Sequence, residues 1–146
     1  MPKEEFMKLA IEKAHEGATE GQSPFGACLV KGGEVISCVH NMTRMSMDLT
    51  AHAEIQALRE SWVKLKSLDL TGCEIYSTCE PCPMCFTACH YANVSTIVYG
   101  ASLEDFMNSG GKGRVTTSYQ MKGLLGSPIQ VIGGFLRDEA IQLFTI

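Results

Sequence analysis

Long apolar runs are missing from this 146-residue chain, and nothing approaches the roughly 18 uncharged apolar residues that a membrane-spanning helix requires. Met1 to Glu5 lead into a mixed amphipathic stretch, so they do not read as a signal peptide. Internal repeats, low-complexity tracts and linkers are also absent, which predicts a single domain over residues 1–146. Excess positive charge is lacking as well. Lys and Arg number 12 against 16 Asp and Glu, for a net charge of −4, and the basic residues are scattered without a basic C-terminal helix. The chain as a whole therefore exerts no long-range pull on a polyanion, which counts against a nucleic-acid partner. What is present is a 45% apolar content, enough for one compact core; a chain of this length buries about 68–70% of its unfolded surface without disulfides. The seven cysteines, an odd number clustered near Cys82 and Cys85, predict thiols in the reduced cytosol and hence a cytoplasmic protein.

Phe6, Leu9, Ala10, Ala14 and Ala18 recur at helical spacing, predicting an amphipathic helix near residues 3–19 that ends at Gly21. Residues 25–31 and 34–41 are short β-rich runs, and Gly32-Gly33 between them predicts a hairpin. A second long helix is expected to start at a Thr50 cap, with Ile55, Leu58, Trp62 and Leu65 as its apolar stripe and Lys64 and Lys66 at its end. Residues 73–78 read as a strand. Pro83 opens a helix to about Tyr91 that is apolar on most faces and expected to be buried. Residues 96–99 form the next strand, 109–113 a Gly-rich mobile loop, 129–132 a fifth strand and 135–144 a closing helix. Strands alternating with helices predict an α/β fold with a sheet covered on both faces, a three-layer α/β/α arrangement.

His52-Ala53-Glu54 and Pro81-Cys82-Pro83-Met84-Cys85 hold the chemistry. His52, Cys82 and Cys85 are three zinc ligands, and three protein ligands leave a tetrahedral zinc one open position for water, unlike a closed structural site. Zinc held in this way lowers the pKa of its water to about 7, so hydrolysis is expected. Cys82 and Cys85, three apart at a helix start, project on the same side, where the helix dipole favours thiolates. Glu54, two residues from His52, is poorly set to bind the same metal but can reach its water.

Two rival readings use the same cysteines. Cys79, Cys82, Cys85 and Cys89 have the spacing of a bacterial ferredoxin cluster, which would make the chain an iron–sulfur electron carrier. Against this, no proline follows Cys89, no second run exists, and His52-Ala53-Glu54 is left unexplained. A closed structural zinc module would take Cys79, Cys89 or His90 as a fourth ligand. Elsewhere Cys28, Cys38 and Cys73 read as buried small apolar residues. His15 and His40 read as surface or capping residues, His90 as a helix-end residue, and Trp62 and the methionines as core or interface.

His-x-Glu followed by Pro-Cys-x-x-Cys is the pattern of zinc deaminases acting on nucleobases. Over residues 6–100 the chain resembles the cytidine deaminase superfamily, with its CMP/dCMP deaminase-type zinc-binding domain. It is nearest the guanine deaminase, cytosine deaminase and tRNA adenosine deaminase branch, whose motifs read Thr-Ala-His-Ala-Glu and Glu-Pro-Cys-x-Met-Cys, as Thr50 to Glu54 and Glu80 to Cys85 do here. The resemblance implies a five-stranded mixed sheet, with the two motifs at the N-termini of neighbouring helices. It implies Zn2+ as cofactor and Glu54 as the group that takes a proton from water and delivers it to the ring and then to the departing amine. It also places Asn41, Phe25 and Ala53 among the substrate contacts, with Asn41 hydrogen-bonding the substrate and Phe25 stacking on the base. Bland alternatives exist for two of them: a turn residue for Asn41 and core packing for Phe25.

Phe25 matches the guanine deaminase form of its segment, whereas tRNA adenosine deaminases usually carry an aliphatic residue there. The chain departs from both relatives after Gly100. It lacks the Ala-Arg-Asp-x-Lys-x-Gly pattern of the tRNA enzymes and the Gly-Phe-Asp-Asp run that reads guanine, with Gly110-Gly111-Lys112-Gly113 near that position. Glu104 and Asp105 are candidates to replace the missing acidic group. The expected function is hydrolytic deamination of a small nucleobase or nucleoside, of guanine or cytosine type. A tRNA-specific adenosine deaminase is the alternative. By resemblance a homodimer is expected, with C-terminal segments that relatives sometimes exchange.

Overall fold

The computed structural model describes residues 1–112 and 116–146. Helix α1 (Glu4–Thr19) leads into a hairpin of β1 (Gly26–Lys31) and β2 (Glu34–His40). Its turn, Gly32-Gly33, has φ of 57° and 78°, left-handed values that suit the twist of a two-residue hairpin and that glycine adopts without steric cost. A short helix, α2 (Thr43–Ser46), precedes α3 (Ala53–Leu65). Strand β3 (Cys73–Cys79), helix α4 (Pro83–Tyr91) and strand β4 (Thr96–Ala101) form a parallel crossover unit. Then come α5 (Leu103–Asn108), α6 (Ser118–Leu125), β5 (Gln130–Ile132), α7 (Arg137–Gln142) and a 3-10 turn over Leu143–Thr145.

The five strands lie in the order β2-β1-β3-β4-β5, antiparallel on the hairpin side and parallel from β3 onward. The sheet is therefore mixed, and helices cover both faces, as expected. Ala27, Leu29, Ile75 and Ile97 point to the face packed by α3, α4 and α6, where Leu58, Phe86 and Cys89 are fully buried. Cys28, Val30, Tyr76 and Val98 point to the opposite face, against Phe6, Met7 and Ala10 of α1 and Phe135 and Leu136 near α7. The alternation is the two-residue period of a strand made visible. Gly26 is required by contact: a Cβ there would meet the carbonyl oxygen of Ala10 at 2.0 Å, so only glycine lets α1 lie this close to β1.

Several expectations need correction. In α1 the buried stripe is Phe6, Met7, Ala10, Ala14 and Gly17; Leu9 is exposed and Ala18 only half-buried. Thr50 does not cap α3: His52 holds the cap position, and Thr50 instead turns to Asp48. Tyr91 projects into solvent instead of closing a buried helix. The closing helix is shorter than residues 135–144 and breaks into the 3-10 turn. Of the expected mobile loop, Ser109 to Lys112 are placed in the turn after α5, and Gly113 lies outside the described residues. Helices α2, α5 and α6 were not foreseen. Among the described residues no helix is long and apolar enough to cross a membrane.

Candidate active site

The register of the sheet brings four strand ends to one edge. Gly26, at the start of β1, pairs with His40 at the end of β2, and Cys79 ends β3 beside Ala101, which ends β4. Phe25 and Asn41 therefore emerge beside the carboxyl ends of the parallel strands, the usual place for a ligand crevice in such a sheet. Helices α3 and α4 start at the same edge. His52 is the N-cap residue of α3 and Cys82 that of α4, with Pro83 at the first helical position, where a missing N–H costs nothing.

These starts bring the ligand set together. His52 Nδ1 lies 3.7 Å from Cys82 Sγ and 3.6 Å from Cys85 Sγ, and all three ligand atoms fall within 4.8 Å of one another. Tetrahedral zinc, with bonds of about 2.3 Å to sulfur and about 2.0 Å to nitrogen, places nitrogen and sulfur roughly 3.6 Å apart. The side chains thus fit zinc in both donor type and spacing. Cys79, Cys89 and His90 do not join the group: Cys89 belongs to the core, and His90 Nδ1 meets Ser127 Oγ at 2.9 Å. The iron–sulfur and closed-zinc readings therefore lose their fourth ligand.

Cys82, hydrogen-bonded by Cys85 and His52, has its thiol pulled down to about 4, while the Cys85 thiol that donates to it is driven well up. The His52 imidazole is raised by the same Cys82 contact. Metal binding would displace the remaining protons. Glu54, in the first turn of α3, is only 6% exposed. Burial, together with the nearby Cys82 sulfur, pushes its carboxyl up to about 7. A carboxyl that readily takes and releases a proton at neutral pH suits acid–base work.

A cavity of about 420 Å³ opens over this group, with His52, Glu54 and Cys82 on its floor. Phe25, Asn41, Leu49, Leu103, Phe106 and Met107 are on its walls. Phe25 faces the cavity and also packs its ring 5.5 Å from Phe106 and 6.2 Å from Phe144. Asn41 likewise lines the cavity and acts as a turn residue, its Oδ1 accepting from Thr43. Ala53 is different. Its methyl is buried in the core and not on the cavity wall, leaving only its first-turn amide to face a ligand. Glu104 does not line the cavity, and Asp105 is committed to Ser102 and Arg137. A larger, more open groove of about 620 Å³ runs between α1 and α3 beside His40. There His40, buried and not at the surface as expected, bonds the Asn41 carbonyl and Glu20, and Glu16 pairs with Lys13.

Sequence reasoning missed Glu80. Its buried carboxylate accepts the Leu103 amide at 3.0 Å and the Ser118 amide at 2.6 Å, tying the ligand loop to the starts of α5 and α6. Ser102 with Asp105 and Thr117 with Gln120 form the capping boxes that open those two helices.

Three convergent ligands, a buried carboxyl beside them and a cavity above define a zinc-binding deaminase domain. Residues 1–101 match the family model of the cytidine and deoxycytidylate deaminase zinc-binding region, and the chain belongs to that family. It is 41% identical over 101 residues to the tRNA-specific adenosine deaminase of Aquifex aeolicus, covering 69% of this chain and 67% of that one. It is 40% identical over 111 residues to the guanine deaminase of Bacillus subtilis, covering 75% and 71%. Among solved structures, a tRNA:A34 deaminase studied for A-to-I editing superposes with a TM-score of 0.82 at 32% identity, covering 97% of this chain and 99% of that chain. Guanine deaminase from Nitrosomonas europaea gives 0.86 at 28% identity, covering 99% and 83%. The protein is accordingly a zinc-dependent deaminase that cleaves a C–N bond by hydrolysis.

Proposed function

We propose that the substrate is a small amino-bearing nucleobase or nucleoside of guanine or cytosine type. The observation that carries this reading is the cavity of about 420 Å³ over Glu54 and the ligand set, a volume that accommodates a single heterocycle. Zinc, when bound by His52, Cys82 and Cys85, supplies a Lewis acid that activates water toward the amino-bearing carbon. Glu54 removes a proton from that water, hands it to the ring nitrogen, and passes the second proton to the departing amine. Oxygen from water becomes the product carbonyl, and the amine leaves as ammonia. Asn41 and the Ala53 amide orient the ring, and Phe25 supplies an aromatic wall.

The alternative, a tRNA-specific adenosine deaminase, is favoured by the likeness to tRNA:A34 deaminase over nearly the whole chain. Net charge and Phe25 favour the small substrate. We also assign to this reading one functional domain, a homodimer and a cytoplasmic location, the last supported by seven free cysteines. Phe144 in the C-terminal turn lies 5.3 Å from Phe106, a contact an exchanged segment would make in a partner. Ammonia release from guanine, cytosine, adenine, their nucleosides and a tRNA anticodon stem-loop tests the substrate. Turnover of a free base or nucleoside is expected; turnover of the RNA alone reverses the assignment.

A further inference from the structure

Asn41 follows the last residue of β2, is 4% exposed and lines the cavity. Its Oδ1 accepts two hydrogen bonds from one residue: the Thr43 backbone N–H at 3.0 Å and the Thr43 hydroxyl at 2.8 Å. A backbone N–H only donates, so the amide atom facing it must be the oxygen. The orientation of Asn41 is thus dictated by the chain, and Nδ2 is left as the atom it offers to the cavity. Thr43 opens the short helix α2, where a first-turn N–H has no intrahelical partner and a side-chain oxygen commonly satisfies it.

We propose that Thr43 is a positioning residue of the deaminase site: it clamps Asn41 Oδ1 with two donors, so that Asn41 presents only a hydrogen-bond donor and the site selects heterocycles with an acceptor at that point. A ring nitrogen lone pair or a carbonyl oxygen satisfies this donor; a second N–H there does not. Losing the hydroxyl weakens the clamp without emptying space, because Thr43→Val keeps the side chain's volume. The inference rests on the small-substrate reading for its kinetic test and on the hydrogen bonds alone for its spectroscopic one.

The zinc-loaded full chain is assayed on whichever base or nucleoside of the panel it deaminates fastest. Thr43→Val is expected to raise KM about 3- to 10-fold, the effect of one neutral hydrogen bond, with zinc content unchanged. Thr43→Ser, which keeps both donors, restores KM to within about twofold of the parent. In an Asn41→Ala background Thr43→Val has no further effect, since a residue that works through Asn41 has nothing left to position. Equal effects of Thr43→Val in both backgrounds overturn the proposal, as does a failure of serine to restore KM. Side-chain amide NMR provides the second readout: the Asn41 Nδ2 proton pair should move in Thr43→Val and stay in place in Thr43→Ser. An unmoved pair refutes the clamp even if no panel compound is turned over; a moved pair with a silent panel assigns the failure to the substrate reading.

Discussion

Arg137 grips Asp105 with two bonds, Nε to Oδ2 at 3.0 Å and Nη2 to Oδ1 at 2.7 Å, fastening α7 to the capped start of α5. The Arg137 guanidinium holds the Asp105 carboxyl below its ordinary value of 3.8. A depressed folded-state pKa contributes stability above about 4, and that contribution is lost as pH falls through the lower folded value. Arg137→Ala should therefore lower the melting temperature at pH 7. The gap between parent and variant should close as the pH drops below about 4. Melting curves from pH 7 to pH 3 check this, and a gap that persists in acid refutes it. Added salt should also narrow the gap, because Arg137 is half exposed.

Glu80 anchors the far wall of the cavity. Removing its carboxylate leaves the Leu103 and Ser118 amides without acceptors, a loss of about 1–3 kcal/mol for a buried group. Because α5 carries Leu103, Phe106 and Met107 into the cavity, Glu80→Ala should raise KM. Hydrogen exchange at the Leu103 and Ser118 amides should accelerate. Unchanged exchange at both would show that other groups hold these helices.

Much of this was legible from residue types and spacing. The hairpin follows from two adjacent glycines, and the ligand set from His52, Cys82 and Cys85 placed at helix starts. The missed elements share a physical cause. Helices α5 and α6 are 6 and 8 residues long, too short for an apolar stripe to repeat, so their capping boxes carry the signal and the hydrophobic pattern does not. Leu9 was misassigned because alanines lie on both sides of the stripe, and only the sheet decides which small residues touch it. Glu80 was unreadable in another sense: its partners are backbone amides 23 and 38 residues away, and no side-chain pattern encodes them.

Zinc content separates the open ligand set from a four-ligand site. Cys89 is buried in the core and outside the converging group, so Cys89→Ser should bind one zinc per chain, at some loss of stability from a hydroxyl placed in an apolar setting. Cys82→Ser should lose most of its zinc, because a thiolate ligand with a pKa near 4 is replaced by an alcohol. Atomic absorption on the dialysed proteins gives the answer, and loss of metal in Cys89→Ser contradicts the three-ligand assignment. Chelation of the parent should abolish turnover, and added zinc should return it.

Glu54→Gln tests the proton shuttle most directly. The amide keeps the shape of the side chain and its place on the cavity floor but cannot take a proton from water or return one to the leaving amine. General acid–base catalysis contributes about 100- to 10,000-fold, and one group serving as both base and acid puts the loss at the upper end. Stability should not fall, since burial already disfavours the charged form of Glu54 and glutamine carries no charge. Zinc should remain bound, because Glu54 is not one of the three ligands. Steady-state ammonia release, metal analysis and thermal melting of one preparation decide the matter together. A variant that holds its metal and fold yet turns over at the parent rate would assign the proton transfers to another group.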